Sequence, residues 1–172
     1  MRRFRNDRSG VSAVEFALVL PFLLILYLGG TQISQALSAD RRVTLLARTL
    51  SDLVAQNTTI TKADVDKIFD AATAVAYPLP GDDLKMVIAS VYTDKDKVSK
   101  VDWSRARNAD AYSHNQTITT LNPQPNTWTI LAKVSYTFHP EVGYGIVGDI
   151  PLSASLQMLP RTTIAQISCT DC

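Results

Sequence analysis

The chain has 172 residues, 46% of them hydrophobic, and a formal net charge of +1 from 17 basic and 16 acidic side chains. That balance conceals a polarised start: without residues 1–10 the chain loses four arginines and one aspartate and carries thirteen basic against fifteen acidic groups, net −2, so it lacks the positive field of a nucleic-acid binder. Two histidines and two cysteines, the histidines not at ligand spacing, are too few for a zinc centre, and about 115 residues after Asn57 suffice for one small core.

The basic leader (Arg2, Arg3, Arg5, Arg8) gives way at Gly10 to an apolar stretch from Val11 to Gly30 whose single charge is Glu15. About twenty residues make about 30 Å of helix, the thickness of a bilayer's hydrocarbon, so the segment is expected to span with membrane lipid around it. Positive charge before the span places the N-terminus in the cytoplasm and everything after Gln32 outside; Arg41, Arg42 and Arg48 follow ten or more residues later and oppose this less. Pro21 removes a backbone donor inside the segment and predicts a kink, with Gly29-Gly30 as a second soft point. A secretory signal cut near Ala36-Leu37-Ser38 is the competing reading, and Glu15 and the length of the apolar run count against it. Arg2-Arg3-Phe4 is only a short match to a twin-arginine signal.

Beyond the glycines, Ala36, Val43, Leu46, Ala47, Leu50, Leu53 and Val54 recur at three- and four-residue spacing, which continues the helix from about Thr31 to Gln56 with one apolar stripe. Fewer than three heptads are present, so the stripe reads as core packing and not as a coiled-coil seam. Asn57-Thr58-Thr59 breaks the pattern. Thr61-Lys62-Ala63-Asp64 resembles a capping box and opens a short helix with Val65, Ile68, Phe69, Ala72 and Val75 on one face, ended by Pro78, Pro80 and Gly81.

The remainder reads as strands. Leu84 to Tyr92 and Val98 to Trp103 flank the polar turn Asp94-Lys95-Asp96-Lys97; Thr127 to Phe138 alternates apart from Leu131; Pro151 to Leu159 places Leu152, Ala154, Leu156 and Met158 in register. Ser104 to Pro125 is polar and aperiodic, a predicted surface loop of about twenty residues. A long helix, a short helix and about four antiparallel strands give an α+β fold on a helical stalk. The predicted parts are residues 1–10 as leader, 11–30 as membrane helix, 31–57 as stalk and 58–172 as head. Cys169 and Cys172 lie outside the cytoplasm in this topology, where oxidation to a local disulfide that ties down the tail is expected. His114 and His139 have no nucleophile near them in sequence, no phosphate-binding glycine loop occurs, and Asp94-Lys95-Asp96 lacks the glycine and terminal glutamate of a calcium loop. The expectation is therefore no catalytic residues, no metal and no cofactor. Asn57-Thr58-Thr59 and Asn115-Gln116-Thr117 match glycosylation acceptors by chance.

A carboxylate inside an apolar span is costly and calls for a partner or a reader. The run Gly10-Val11-Ser12-Ala13-Val14-Glu15-Phe16 resembles the processing site of type IV pilin-like proteins, and Glu15-Phe16 narrows the resemblance to TadE-like pseudopilins of tight-adherence pilus systems. Val101-Asp102-Trp103-Ser104, Tyr136-Thr137-Phe138-His139-Pro140 and Met158-Leu159-Pro160-Arg161 look like that family's C-terminal half. The resemblance implies cleavage after Gly10 by a prepilin peptidase and Val11 as the new N-terminus. It also implies Glu15 paired with the Val11 amine of a neighbouring subunit to set axial register, and a helix bent at Pro21. Implied partners are the peptidase, an inner-membrane pilus platform with its ATPase, and other pilin-like subunits. The implied location is the bacterial inner membrane, N-terminus cytoplasmic and head periplasmic, extending to a surface pilus. The alternatives are a Glu15 that snorkels to the interface and an uncleaved single-span anchor presenting a periplasmic binding module.

Overall fold

The computed structural model describes residues 9–121, 123–140, 148–161 and 166–172, so the leader's Arg2, Arg3, Arg5, Asp7 and Arg8 lie outside the described residues. Helix α1 runs from Ser9 to Ala55, 47 residues, or about 70 Å of rod. It continues unbroken through Pro21, Gly29 and Gly30. The proline has no N–H to give, so the Ala17 carbonyl lacks its usual donor four residues on.

The two halves of α1 have different surroundings. Residues 10–30 are all exposed, whereas Ala39, Val43, Leu46, Ala47, Leu50 and Val54 are buried along one stripe of 3.6-residue period. Ala36 and Leu53, expected in that stripe, are half-buried, while Ser51 enters it and satisfies its hydroxyl by donating to the carbonyls of Ala47 (2.9 Å) and Arg48 (3.0 Å). Strand β1 (Thr59–Ile60) leads into α2 (Lys62–Ala76). The capping box forms as predicted: the Asp64 amide donates to Thr61 Oγ1 at 3.2 Å, and the Asp64 carboxylate accepts from the Thr61 amide at 3.3 Å. Val65, Phe69, Ala72 and Ala76 are buried, and the expected Val75 is exposed because the seven-residue step from Phe69 to Ala76 holds the inner line of the helix.

Strands β2 (Lys85–Thr93), β3 (Ser99–Arg107), β4 (Thr117–Ile118), β5 (Thr127–Phe138) and β6 (Ile150–Met158) form an antiparallel sheet in the order β4-β3-β2-β5-β6. The fold is thus α+β, with five strands where the sequence reading counted about four: β4 has only two residues, too short for alternation to register. The hairpin between β2 and β3 turns at Asp94 to Lys97, where Asp94 Oδ1 accepts from the amides of Asp96 and Val98, both at 2.9 Å. α1 lies across β5 and β6, and α2 sits beside it over β3. Met86, Ile88, Trp103, Ile130, Ala132, Val134 and Tyr136 meet the helices in the main core. On the opposite face Ala89, Val91, Val101 and Leu131 form a second, smaller cluster covered by Tyr112 and Ile118. That cluster explains why Leu131 breaks the alternation of β5.

It also revises the predicted loop. β3 runs past Trp103 to Arg107, and part of the polar stretch beyond it folds back over the sheet. Arg105 and Arg107 fall on the core side of β3 and carry their charged heads out to α2, where Arg107 reaches Asp70 at 2.6 Å and lies 5.3 Å from the centre of the Phe69 ring. The C-terminal tail forms β7 (Ser168–Cys169), which pairs in parallel with β1.

Leu50 is fully buried where α1 meets the sheet, so Leu50→Ala is expected to cost about 3 kcal/mol of unfolding free energy, measured by chemical denaturation of the full chain in detergent. The head is also expected to lose stability at both ends of the pH scale. Asp64 is held below the ordinary 3.8 by the Thr61 hydroxyl and then Lys67, so its small, solvent-screened contribution is present above that value and fades as pH falls below it. Tyr136 is pushed above the ordinary 10.0 by burial and then by the Asp83 charge, so its contribution is intact below pH 10.0 and is lost as pH rises further. Tyr136→Phe should flatten the alkaline limb of a melting-temperature profile and leave the acid limb unchanged.

Candidate functional site

Two regions hold groups that the fold does not use up. The first is the exposed half of α1. From Val11 to Leu28, thirteen large hydrophobic side chains stand exposed, including Phe16, Phe22 and Leu26. At about 1.5–3 kcal/mol for each such side chain, leaving them in water forfeits about 20–40 kcal/mol, more than a typical domain's whole stability. The segment therefore belongs in lipid or against other apolar helices, and α1 is long and apolar enough to span a membrane.

Gly10 lies in the first turns of this helix, and a Cβ added there would meet nothing within 4 Å. Val11 and Glu15 are four residues apart, so they share one face, about 6 Å apart along the axis. Both are exposed, and among the described residues Glu15 makes no ion pair. Phe16 and Pro21 lie on other faces of the same rod. The helix brings Val11 and Glu15 together and keeps both far along the chain from the head.

The second region is a cavity of about 440 Å³ beside β3 and the C-terminal tail, lined in part by Asp102, Trp103, Tyr112, His114, Gln166 and the Cys169–Cys172 bridge. A bulge shapes it: Trp103 faces Ser90 and Val101 faces Val91 across the β2–β3 ladder, which leaves Asp102 as an extra residue with no partner on β2. The Asp102 carbonyl accepts from His114 Nδ1 at 2.6 Å, so Nε2 is the acceptor of the neutral ring, and the Asp102 carboxylate accepts from Gln166 Nε2 at 3.2 Å. The Ser104 hydroxyl donates to the Ile88 carbonyl at 2.9 Å and accepts from the Tyr112 amide at 3.2 Å.

The tail that closes the cavity is bound more firmly than a terminal tie would require. Ile167 is fully buried, and its carbonyl accepts from the Trp103 indole at 2.7 Å. The Thr170 amide donates to the Ile60 carbonyl at 3.1 Å, and Asp171 accepts from the Lys62 amide at 2.7 Å, adding a carboxylate to the start of α2. Cys169 and Cys172 are bridged as expected, with their Cα atoms 5.6 Å apart. No spacing rule joins Asp102, His114 and Gln166, whose contacts cross 12 and 64 residues, so sequence reasoning missed this site. Of the expected residues, only the two cysteines belong to it.

Residues 10–51 match the family model described as TadE-like protein, a stretch that lies wholly within α1. No curated protein and no solved structure matches the chain.

Opening the bridge removes a short loop closure worth about 2 kcal/mol in the chain-entropy account. Reduction, or the Cys169→Ser variant, is expected to lower the melting temperature by several degrees and to speed hydrogen exchange at the Thr170 and Lys62 amides. An unchanged melting temperature with unchanged exchange would show that the tail holds itself.

Proposed function

We propose that this chain is a pilin-like structural or assembly subunit of a tight-adherence (Flp-type) type IV pilus, processed by a prepilin peptidase after Gly10. The observation that carries the reading is the match to the TadE-like model over residues 10–51, which opens at the proposed cleavage residue and takes in Glu15 and the whole exposed apolar run. Residues 1–10 act as a cytoplasmic leader and 11–30 span the inner membrane. Residues 31–57 form a stalk whose later half is seated in the head, and 58–172 form a periplasmic head. The partners are the peptidase, the inner-membrane platform with its ATPase, other pilin-like subunits and membrane lipid. The chain's work is structural, without catalysis or cofactor.

Cleavage changes the electrostatics of the rod. Cutting after Gly10 turns Val11 into a free amine four residues before Glu15, on the same helix face, so a positive charge that favours an anion appears at that end of the rod. A carboxylate facing an apolar environment is expensive alone and is compensated by an opposite charge. The Val11 amine of a neighbouring subunit supplies one, and matching each carboxylate to one amine fixes the axial register between rods. Pro21 gives the rod a bend as it passes from bilayer to bundle. The head cavity favours a second reading, an uncleaved anchor that presents a binding module.

Intact mass measurement of the membrane-extracted protein separates the two: a chain beginning at Val11 supports processing, and an intact Met1 supports the anchor. Because a side chain at position 10 meets open space, Gly10→Phe should fold normally, retain the leader and abolish pili. Normal piliation from that variant would overturn the pilus reading. Glu15→Ala is expected to be processed and membrane-bound but to reduce pilus number at least tenfold in electron micrographs.

A further inference from the structure

We propose that the cavity between β3 and the bridged tail is a binding site for a cationic group, an ammonium or guanidinium, held by the Asp102 carboxylate. Four observations converge on it. At about 440 Å³ the cavity falls in the range of small-molecule sites. The bulge sets Asp102 outside the ladder and turns its side chain into the wall, the use to which bulges beside binding sites are commonly put.

The charge of the wall then selects the ligand. Among the described residues, Asp102 is the only Asp, Glu, Lys or Arg side chain lining the cavity, and its one described partner is the neutral amide of Gln166. Asp171, on the same tail, is occupied by the Lys62 amide. A phosphate or carboxylate ligand would face an uncompensated negative charge, whereas a cation would complete a charge-assisted hydrogen bond. Trp103 and Tyr112 add aromatic wall of the kind that favours ammonium and guanidinium groups, and His114, held by its Nδ1, offers an acceptor at Nε2. The cation has two sources, a small diffusible amine or a lysine or arginine side chain of a neighbouring polypeptide. The site rests on neither reading of the preceding section, so its failure would leave the pilus assignment where it stands.

The test uses the full chain in detergent with the bridge intact. The two tryptophan indole N–H signals are followed by ¹⁵N NMR, with Trp128→Phe to assign them. Cadaverine and agmatine serve as free cations, and end-capped Gly-Lys-Gly and Gly-Arg-Gly as side-chain sources; glucose and glutarate are the neutral and anionic controls, all at matched ionic strength. The Trp103 signal should shift saturably with cations, in the millimolar range, and the Trp128 signal should stay still. Asp102→Asn preserves shape and should weaken binding roughly tenfold or more, about 1.4 kcal/mol, while both indole signals stay dispersed. Reduction of the bridge should weaken it too, because the two cysteines form part of the wall. Response to the free cations alone assigns a small amine; response to the capped peptides alone assigns a neighbouring chain. No saturable shift with any cation, equal affinity in Asp102→Asn, or an equal response to glucose or glutarate would overturn the proposal.

Discussion

The structure depends on one contact, the seating of the stripe from Ala39 to Val54 of α1 against β5 and β6. Every other part of the head is arranged around that line. It is also what makes α1 a single object with two environments, because the same uninterrupted backbone leaves the core at Ala39 and continues for about thirty further residues, of which 11–30 form the apolar rod. A helix held along more than four of its turns has that half fixed to the head, while Pro21 and Gly29-Gly30 are the interior points at which the exposed half can bend.

The head closes its polar accounts with contacts that are distant in sequence. α2 begins on a side-chain cap from Thr61 and a second carboxylate from Asp171, contributed by the far end of the chain. α1 ends with the Ala55 carbonyl accepting from the Arg161 amide while the Arg161 guanidinium reaches Asp52 at 2.7 Å. Three buried hydroxyls, on Thr93, Ser99 and Thr120, satisfy one another at the base of the β2–β3 hairpin. The end of α1 and the start of α2 are thus both finished by residues from after the last long strand. Buried donors and acceptors carry a large cost when left open, which makes the tail part of the fold and not an appendage.

What was legible in the sequence followed periodicity. The stripe of α1, the capping box at Thr61 and the alternation of β5 are all visible in spacing because each repeats a local geometry several times. The misses are places where geometry is set once. β1, β4 and β7 have two residues each and exist only because partners elsewhere in the chain present matching edges. The exposure of Val75 follows from a helix that meets its core along a line drifting slightly from the assumed face. The cavity is the extreme case: a one-residue bulge at Asp102 reorganises three segments, and a bulge has no periodic signature. Gly10, Val11 and Glu15 were singled out by resemblance, and the structure places them on the exposed, apolar half of α1.

The breadth of the sheet has a consequence for packing in quantity. Five strands spaced about 4.8 Å apart spread the head over about 20 Å, whereas helices in contact lie about 8–10 Å from axis to axis. Copies whose rods touch must either turn their heads outward, away from one another, or offset them along the axis as treads are offset on a spiral stair.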